Sequence, residues 1–212
     1  SPLCISPEKA NTVDPVIIQV PFMDFYLTSN EQTPWALSEN QLYEDQRYID
    51  LCKFLVDASI AFGHKTLITA NRKAFIHDIV ESTRSSIASI TSDESIEERE
   101  SYLDAIRAGT LEGIAGTLSI MKEGVSCNNL SCLILTSSTN NKAVIAQVVG
   151  RIMRLADNKL PPIVIDITLP DSDLGQKHAR ERLRIYKAEG WVVHKTQNID
   201  QVVSLIQGLS KV

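Results

Sequence analysis

The stretch from Gly116 to Arg154 constrains the fold more than any other part of this chain. It reads as a strand end, a helix, a second strand (Ser131 to Leu135), a loop and a second helix, the alternation that builds α/β domains. The second helix is strongly two-sided. At about 100° per residue, Val144, Ile145, Val148, Val149 and Ile152 fall on one arc. Gln147, Gly150, Arg151 and Arg154 fall on the opposite arc of the same helix. The apolar arc fixes the helix to a core. The other arc holds two guanidiniums beside a glycine that lets a ligand approach, and guanidinium forks suit bidentate contacts to phosphate oxygens.

The rest of the chain continues the alternation. Val16 to Val20 reads as a strand, and residues 41–61 as a helix, with Ile49, Cys52, Leu55, Val56 and Ile60 at three- and four-residue spacing. Lys65 to Ala70 is a strand followed by a helix from Asn71 to Arg84. Ser86 to Ile90 is the next strand, and Ser95-Ile-Glu-Glu98 opens a helix as a capping box that Gly109 closes. Glu94, Glu97 and Glu98 suit the positive end of that helix and serve structure. Glu112 to Thr117 and Pro161 to Thr168 are strands. Lys177 to Glu189 is a helix with Ala179, Leu183 and Tyr186 facing inward and Lys177, Arg180, Arg184 and Lys187 in a stripe that reads first as a solvated face and second as a DNA contact. Trp191 to His194 is a last strand, and Val202 to Leu209 a terminal amphipathic helix. The expected fold is an α/β domain with a mainly parallel sheet.

Composition excludes several classes. The chain is 43% hydrophobic and 22% charged, as globular domains are, and no apolar run is long enough for a membrane span. Cys4, Cys52, Cys127 and Cys132 lack metal-ligand pairing, so reduced thiols and a reducing, intracellular compartment are expected, with no metal site. The net charge is −5, yet residues 142–187 hold nine basic and five acidic side chains, which leaves −9 for the remainder. A polyanion can therefore meet one face without meeting the others. Gly63-His-Lys-Thr66 imitates the end of a phosphate loop but precedes its strand and lacks the upstream glycine, so it is rejected.

With these residues in hand, the pattern Gln147-x-x-Gly150-Arg151-x-x-Arg154 resembles motif VI of superfamily 2 helicases. Gly116-Thr117 through Glu123-Gly124, with the strand that follows, resembles motif V, and the end of the Lys65–Ala70 strand resembles motif IV. The resemblance is to the second RecA-like domain of such motors, among DNA-repair and recombination helicases of the phage and viral kind, and covers roughly residues 41–192. It implies a RecA-like three-layer fold. Residues 1–40 would then be an extension from a missing first RecA-like domain, and residues 193–212 a C-terminal helical extension.

The resemblance also implies roles. Arg151 and Arg154 would be arginine fingers, with Gln147 sensing the nucleotide; Gly124, Ser126 and Gly150 would lie on the nucleotide side. Ser126 stands where many members carry Asp, so a hydroxyl replaces the carboxylate contact to the ribose. Thr69, Asn71, Arg72, Gly116 and Thr117 would line the nucleic-acid track, where ligands meet the carboxyl ends of parallel strands. Asn71 has a second reading, as the cap of the helix it opens. ATP and Mg2+ would be bound mainly by the first domain, because this chain holds neither a phosphate loop nor an acidic magnesium motif. The expected partners are DNA, single-stranded or branched, with RNA left open, and the first RecA-like domain; no membrane is involved. The alternative is a binding module that kept the fold without the motor.

Overall fold

The computed structural model describes residues 11–26, 35–123, 127–136 and 139–211. Seven strands form one sheet: β1 (Val16–Pro21), β2 (Thr66–Ala70), β3 (Ile87–Ile90), β4 (Gly113–Thr117), β5 (Cys132–Leu135), β6 (Ile163–Thr168) and β7 (Val193–Lys195). Their order is β3-β4-β2-β5-β6-β1-β7, and every pairing is parallel. Parallel neighbours need crossovers, and among the described residues seven helices lie on them: α1 (Trp35–Glu44), α2 (Gln46–Ala61), α3 (Lys73–Ser82), α4 (Ile96–Ala108), α5 (Leu118–Lys122), α6 (Lys142–Met153) and α7 (Asp173–Ala188); α8 (Ile199–Leu209) follows β7.

Strand alternation sorts the helices into two layers. Ile17, Leu67, Ile114, Leu133 and Val164 point to the face covered by α4, α5, α6 and α7, meeting Leu103, Met121, Ile145 and Tyr186. Ile18, Ile68, Ala115, Ile134 and Ile165 point to the other face, where α1, α2, α3 and α8 bring Leu42, Leu55, Phe75 and Val202. Both faces are buried, which is why the strands read as near-continuous apolar runs. The result is the expected three-layer RecA-like domain.

Several elements differ in their bounds. The helix expected over 41–61 is two helices, because Asp45 is extended (φ −73°, ψ 116°) and caps α2 by accepting from the Arg47 amide. Helix α7 starts at Asp173, capped by Ser172, whose hydroxyl accepts from the Gly175 amide. The capping box of α4 is present: Ser95 accepts from the Glu98 amide, and Gly109 ends the helix at φ 78°. The sheet also crosses both expected domain limits, since β1 lies between β6 and β7. The C-terminal end of α8 is tied in as well: buried His64 hydrogen-bonds through Nδ1 with Ser131 Oγ (2.7 Å) and through Nε2 with Ser210 Oγ (2.9 Å). Burial pulls that imidazole down to about 4 and keeps it neutral at neutral pH.

Candidate functional site

Helix α6 follows the pattern of its sequence. Asn141 caps it by accepting from the Val144 amide, Ile145, Val148, Val149 and Ile152 are buried, and Gln147 is exposed on the other side. A Cβ built at Gly150 meets nothing within 4 Å, so the space beside Arg151 is open. Arg151 is half-buried and its Nε donates to the Met121 carbonyl of α5 at 3.2 Å. Burial first, and the like charge of Arg154 second, pull its guanidinium below the ordinary value.

Arg154 departs from expectation. The helix ends at Met153, and Arg154 is its extended C-terminal cap (φ −68°, ψ 138°). Lys159 fixes this end, its Nζ donating to the carbonyls of Ile152 (2.6 Å) and Arg154 (2.5 Å). Burial lowers that ammonium to about 8. Arg154 also forms an antiparallel bridge with Thr12, and the Leu155 amide donates to Asn11 O at 3.0 Å. Arg154 therefore projects from a pinned turn instead of continuing the helical face.

A groove of about 510 Å³ opens at the carboxyl ends of β2 and β4. It brings together Asn71, Arg72 and Lys73 after β2 with Thr117, Leu118 and Ser119 after β4, along with Ser92, Trp35 and Glu39. Asn71 does not cap α3. Its Nδ2 donates to Glu39 Oε1 at 2.7 Å, and the cap position is Arg72, without a side-chain hydrogen bond. Arg72 is anchored on α1 through Asn40 and the Ala36 carbonyl, and Trp35 Nε1 donates to Glu39 Oε2 at 2.8 Å. The α1 contribution was missed in sequence, since that helix has weak periodicity.

The remaining expected track residues lie beneath the groove. Thr69 is fully buried, paired in register with Gly116 and Leu135, and its hydroxyl has no hydrogen-bond partner among the described residues. Gly116 is small for a local reason: a Cβ there would stand 2.6 Å from Met121 Sδ, so the glycine seats α5 against the sheet. The expected nucleotide-side residues Gly124 and Ser126 lie outside the described residues.

One cluster had no sequence assignment. Arg182, expected among solvent-facing neighbours, is 1% exposed, whereas Ala179 and Leu183 are only half-buried. Its Nε and Nη2 grip the Asp166 carboxylate at 2.9–3.2 Å, and Tyr186 OH donates to the same carboxylate at 2.8 Å. Burial pulls the guanidinium down, but the Asp166 charge and hydrogen bonds leave it above its ordinary value. Arg182 Nη1 also donates to the Thr139 carbonyl (3.1 Å), and Asn140 donates to Glu181, so α7 holds the turn from which α6 starts. The signal in sequence was Asp166, a charge inside an apolar strand that must have a partner.

Among the described residues, Cys52, Cys127 and Cys132 are buried free thiols, and no group of three His, Cys, Asp or Glu side chains could hold a metal ion. Cys4 lies outside them. Among the same residues no helix is long and apolar enough to cross a membrane.

Residues 46–156 match the helicase conserved C-terminal domain. The probable helicase D10 of Escherichia phage T5 is 33% identical over 189 residues, 88% of this chain and 42% of that protein. This chain thus spans less than half of that relative's length. Similar solved structures include S. cerevisiae Dbp5 bound to RNA and ADP BeF3 (TM-score 0.60, 14% identity, 98% of this chain and 48% of that one). The C-terminal domain of the DEAD-box protein Dbp5 aligns with TM-score 0.59 and 13% identity over 94% of this chain and 99% of that one. A DEAD box protein from Methanococcus jannaschii aligns with TM-score 0.53 and 17% identity over 88% and 42%. With the family match spanning just over half of the chain and the layered parallel sheet shared with these structures, the chain belongs to the helicase conserved C-terminal domains, as the second RecA-like domain of a superfamily 2 helicase.

Proposed function

We propose that this chain is the second motor domain of an ATP-dependent DNA helicase or translocase, contributing arginine fingers and part of the nucleic-acid track. The observation that carries this reading is the groove joining Asn71, Arg72 and Lys73 with Thr117 and Ser119 at one end of the sheet. Its amide, hydroxyl and cationic groups suit the sugar-phosphate backbone of a single strand. Thr69 and Gly116 support the groove from below.

The α6 face supports the nucleotide half. ATP bound with Mg2+ on the first RecA-like domain supplies the phosphoryl group and its neutralising metal ion. Arg151 and Arg154 would place guanidinium charge against the γ-phosphate oxygens, Gln147 would sense the nucleotide, and Gly150 would leave room for its approach. The bond to Met121 O holds the Arg151 guanidinium in place, and the pinned backbone of Arg154 fixes the point from which its side chain projects.

Fluorescence anisotropy with labelled oligothymidine tests the track. Weak binding that falls as salt rises is expected, and Arg72→Ala should weaken it about tenfold, as for the loss of a phosphate contact. Binding indifferent to salt or to Arg72→Ala would remove the groove from the track.

Gly150→Ala separates fold from site. With open space at its Cβ, the alanine should stabilise α6 by about 0.5–1 kcal/mol in a thermal melt. In the complete motor it should lower ATP turnover by narrowing the approach to Arg151. Turnover equal to that of the parent would mean that no ligand passes over Gly150.

A further inference from the structure

Helix α7 carries a second surface that the motor reading does not use. Lys177, Arg180, Arg184 and Lys187 are exposed along its outer face, opposite buried Arg182 and Tyr186. Among the described residues none of the four makes an ion pair. Ordinary solvated helices of this chain mix signs. On α4, Arg107 pairs with Asp104 at 2.7 Å, and Glu97, Glu98 and Glu100 share the surface. On α7 the one acid within the stripe, Glu181, accepts from Asn140 and lies in the field of Lys177 and Arg184, one carboxylate against four cations. Lys195 extends the cationic surface across a shallow groove of about 230 Å³ lined by Leu169, Ala179, Arg180 and Leu183.

We propose that this ridge binds the phosphate backbone of a double-stranded nucleic-acid arm adjoining the single strand in the groove. The proposal rests on the groove reading given above for the single strand. Three observations support it. Ten residues of helix rise about 15 Å, the axial span of about four phosphates of one duplex strand, and four cations occupy that length. The ridge begins where the groove ends: Trp35, which lines the groove, packs edge-on against His178, next to Lys177, with ring centroids 5.3 Å apart. The charge is local, four exposed cations within eleven residues of α7 against −5 overall, which draws a polyanion to this ridge.

The test compares two probes on this chain by fluorescence anisotropy across a salt series. One is single-stranded oligothymidine; the other carries the same tail on a duplex arm. The parent chain should bind the tailed duplex at least tenfold more tightly at low salt, with a log–log salt slope steeper by up to about 3.6, from roughly 0.9 per phosphate. The quadruple variant Lys177→Gln, Arg180→Gln, Arg184→Gln and Lys187→Gln should lose that increment and keep single-strand affinity within about twofold. Exchanging Lys for Arg and Arg for Lys at the four positions should preserve it, with circular dichroism unchanged in both variants. Arg72→Ala should do the opposite, lowering single-strand affinity while the duplex increment survives, so failure of the groove reading would be seen separately. A parent chain without a duplex preference, or a glutamine variant that retains it, overturns the proposal and leaves the ridge to an acidic protein surface.

Discussion

Arg151→Ala in the complete motor protein is expected to lower ATP turnover about a thousandfold or more, the size of effect that loss of an arginine finger would have. The fold should hardly respond. Arg151 lies off the packed arc of α6, and the 3.2 Å contact to Met121 O is at the rim of the packed layer. Arg154→Ala should have a similar effect, since the Arg154 backbone is held through its carbonyl and amide neighbours and does not depend on the side chain. Steady-state phosphate release read beside a thermal melt is the measurement. Nucleic-acid affinity without nucleotide should stay near that of the parent, because Asn71, Arg72 and Thr117 lie in a separate groove. Undiminished turnover, or variants that simply unfold, would make both arginines structural.

The largest loss of stability should come from Arg182→Ala. It strands the Asp166 carboxylate in a layer where both partners are shielded from water, at 1% and 0% exposure. Removing one member of such a pair costs about 3–5 kcal/mol. The midpoint of denaturant unfolding should fall accordingly. Replacing both, as Asp166→Leu with Arg182→Met, should recover most of the loss, since no charge is then left buried. Should the single variant unfold at the parental midpoint, the grip at 2.9–3.2 Å does not contribute to stability.

The parts of the fold legible in sequence are those fixed by local periodicity. The arc Val144, Ile145, Val148, Val149 and Ile152 needed only the helical repeat, and Ser95, Glu98 and Gly109 mark α4 through capping chemistry confined to its own ends. What escaped depends on residues outside the element itself. Nothing within the helical pattern ends α6 at Met153; Lys159, beyond the helix, takes its last carbonyls, and Thr12, far earlier in the chain, pairs with Arg154. Arg182 sits among outward-facing cations in sequence and turns inward because Asp166, on a different element, needs a counter-charge. The groove was half legible. Asn71, Arg72 and Thr117 lie at strand ends, where the resemblance located them, but the α1 wall of Trp35 and Glu39 has no pattern that sets it apart. Gly116, expected in the nucleic-acid track, has a local reason to be small that no pattern in the sequence shows: Met121 packs against it.

The strand order also dictates when the sheet can form. Among the described residues the first strand, β1, pairs with β6 and β7, the last two. Its partners lie 147 residues downstream in β6, as with Val16 and Ile163, and 176 in β7, as with Ile17 and Val193. The half made of β3, β4, β2 and β5 closes over much shorter loops, so it can assemble while Val16-Ile-Ile-Gln-Val20 is still unpaired. Long loops are entropically expensive to close, which makes docking of β1 a late and slow event. During that interval an apolar strand lies open to other chains. The same wiring that sets β1 between β6 and β7 should make refolding of this domain sensitive to protein concentration.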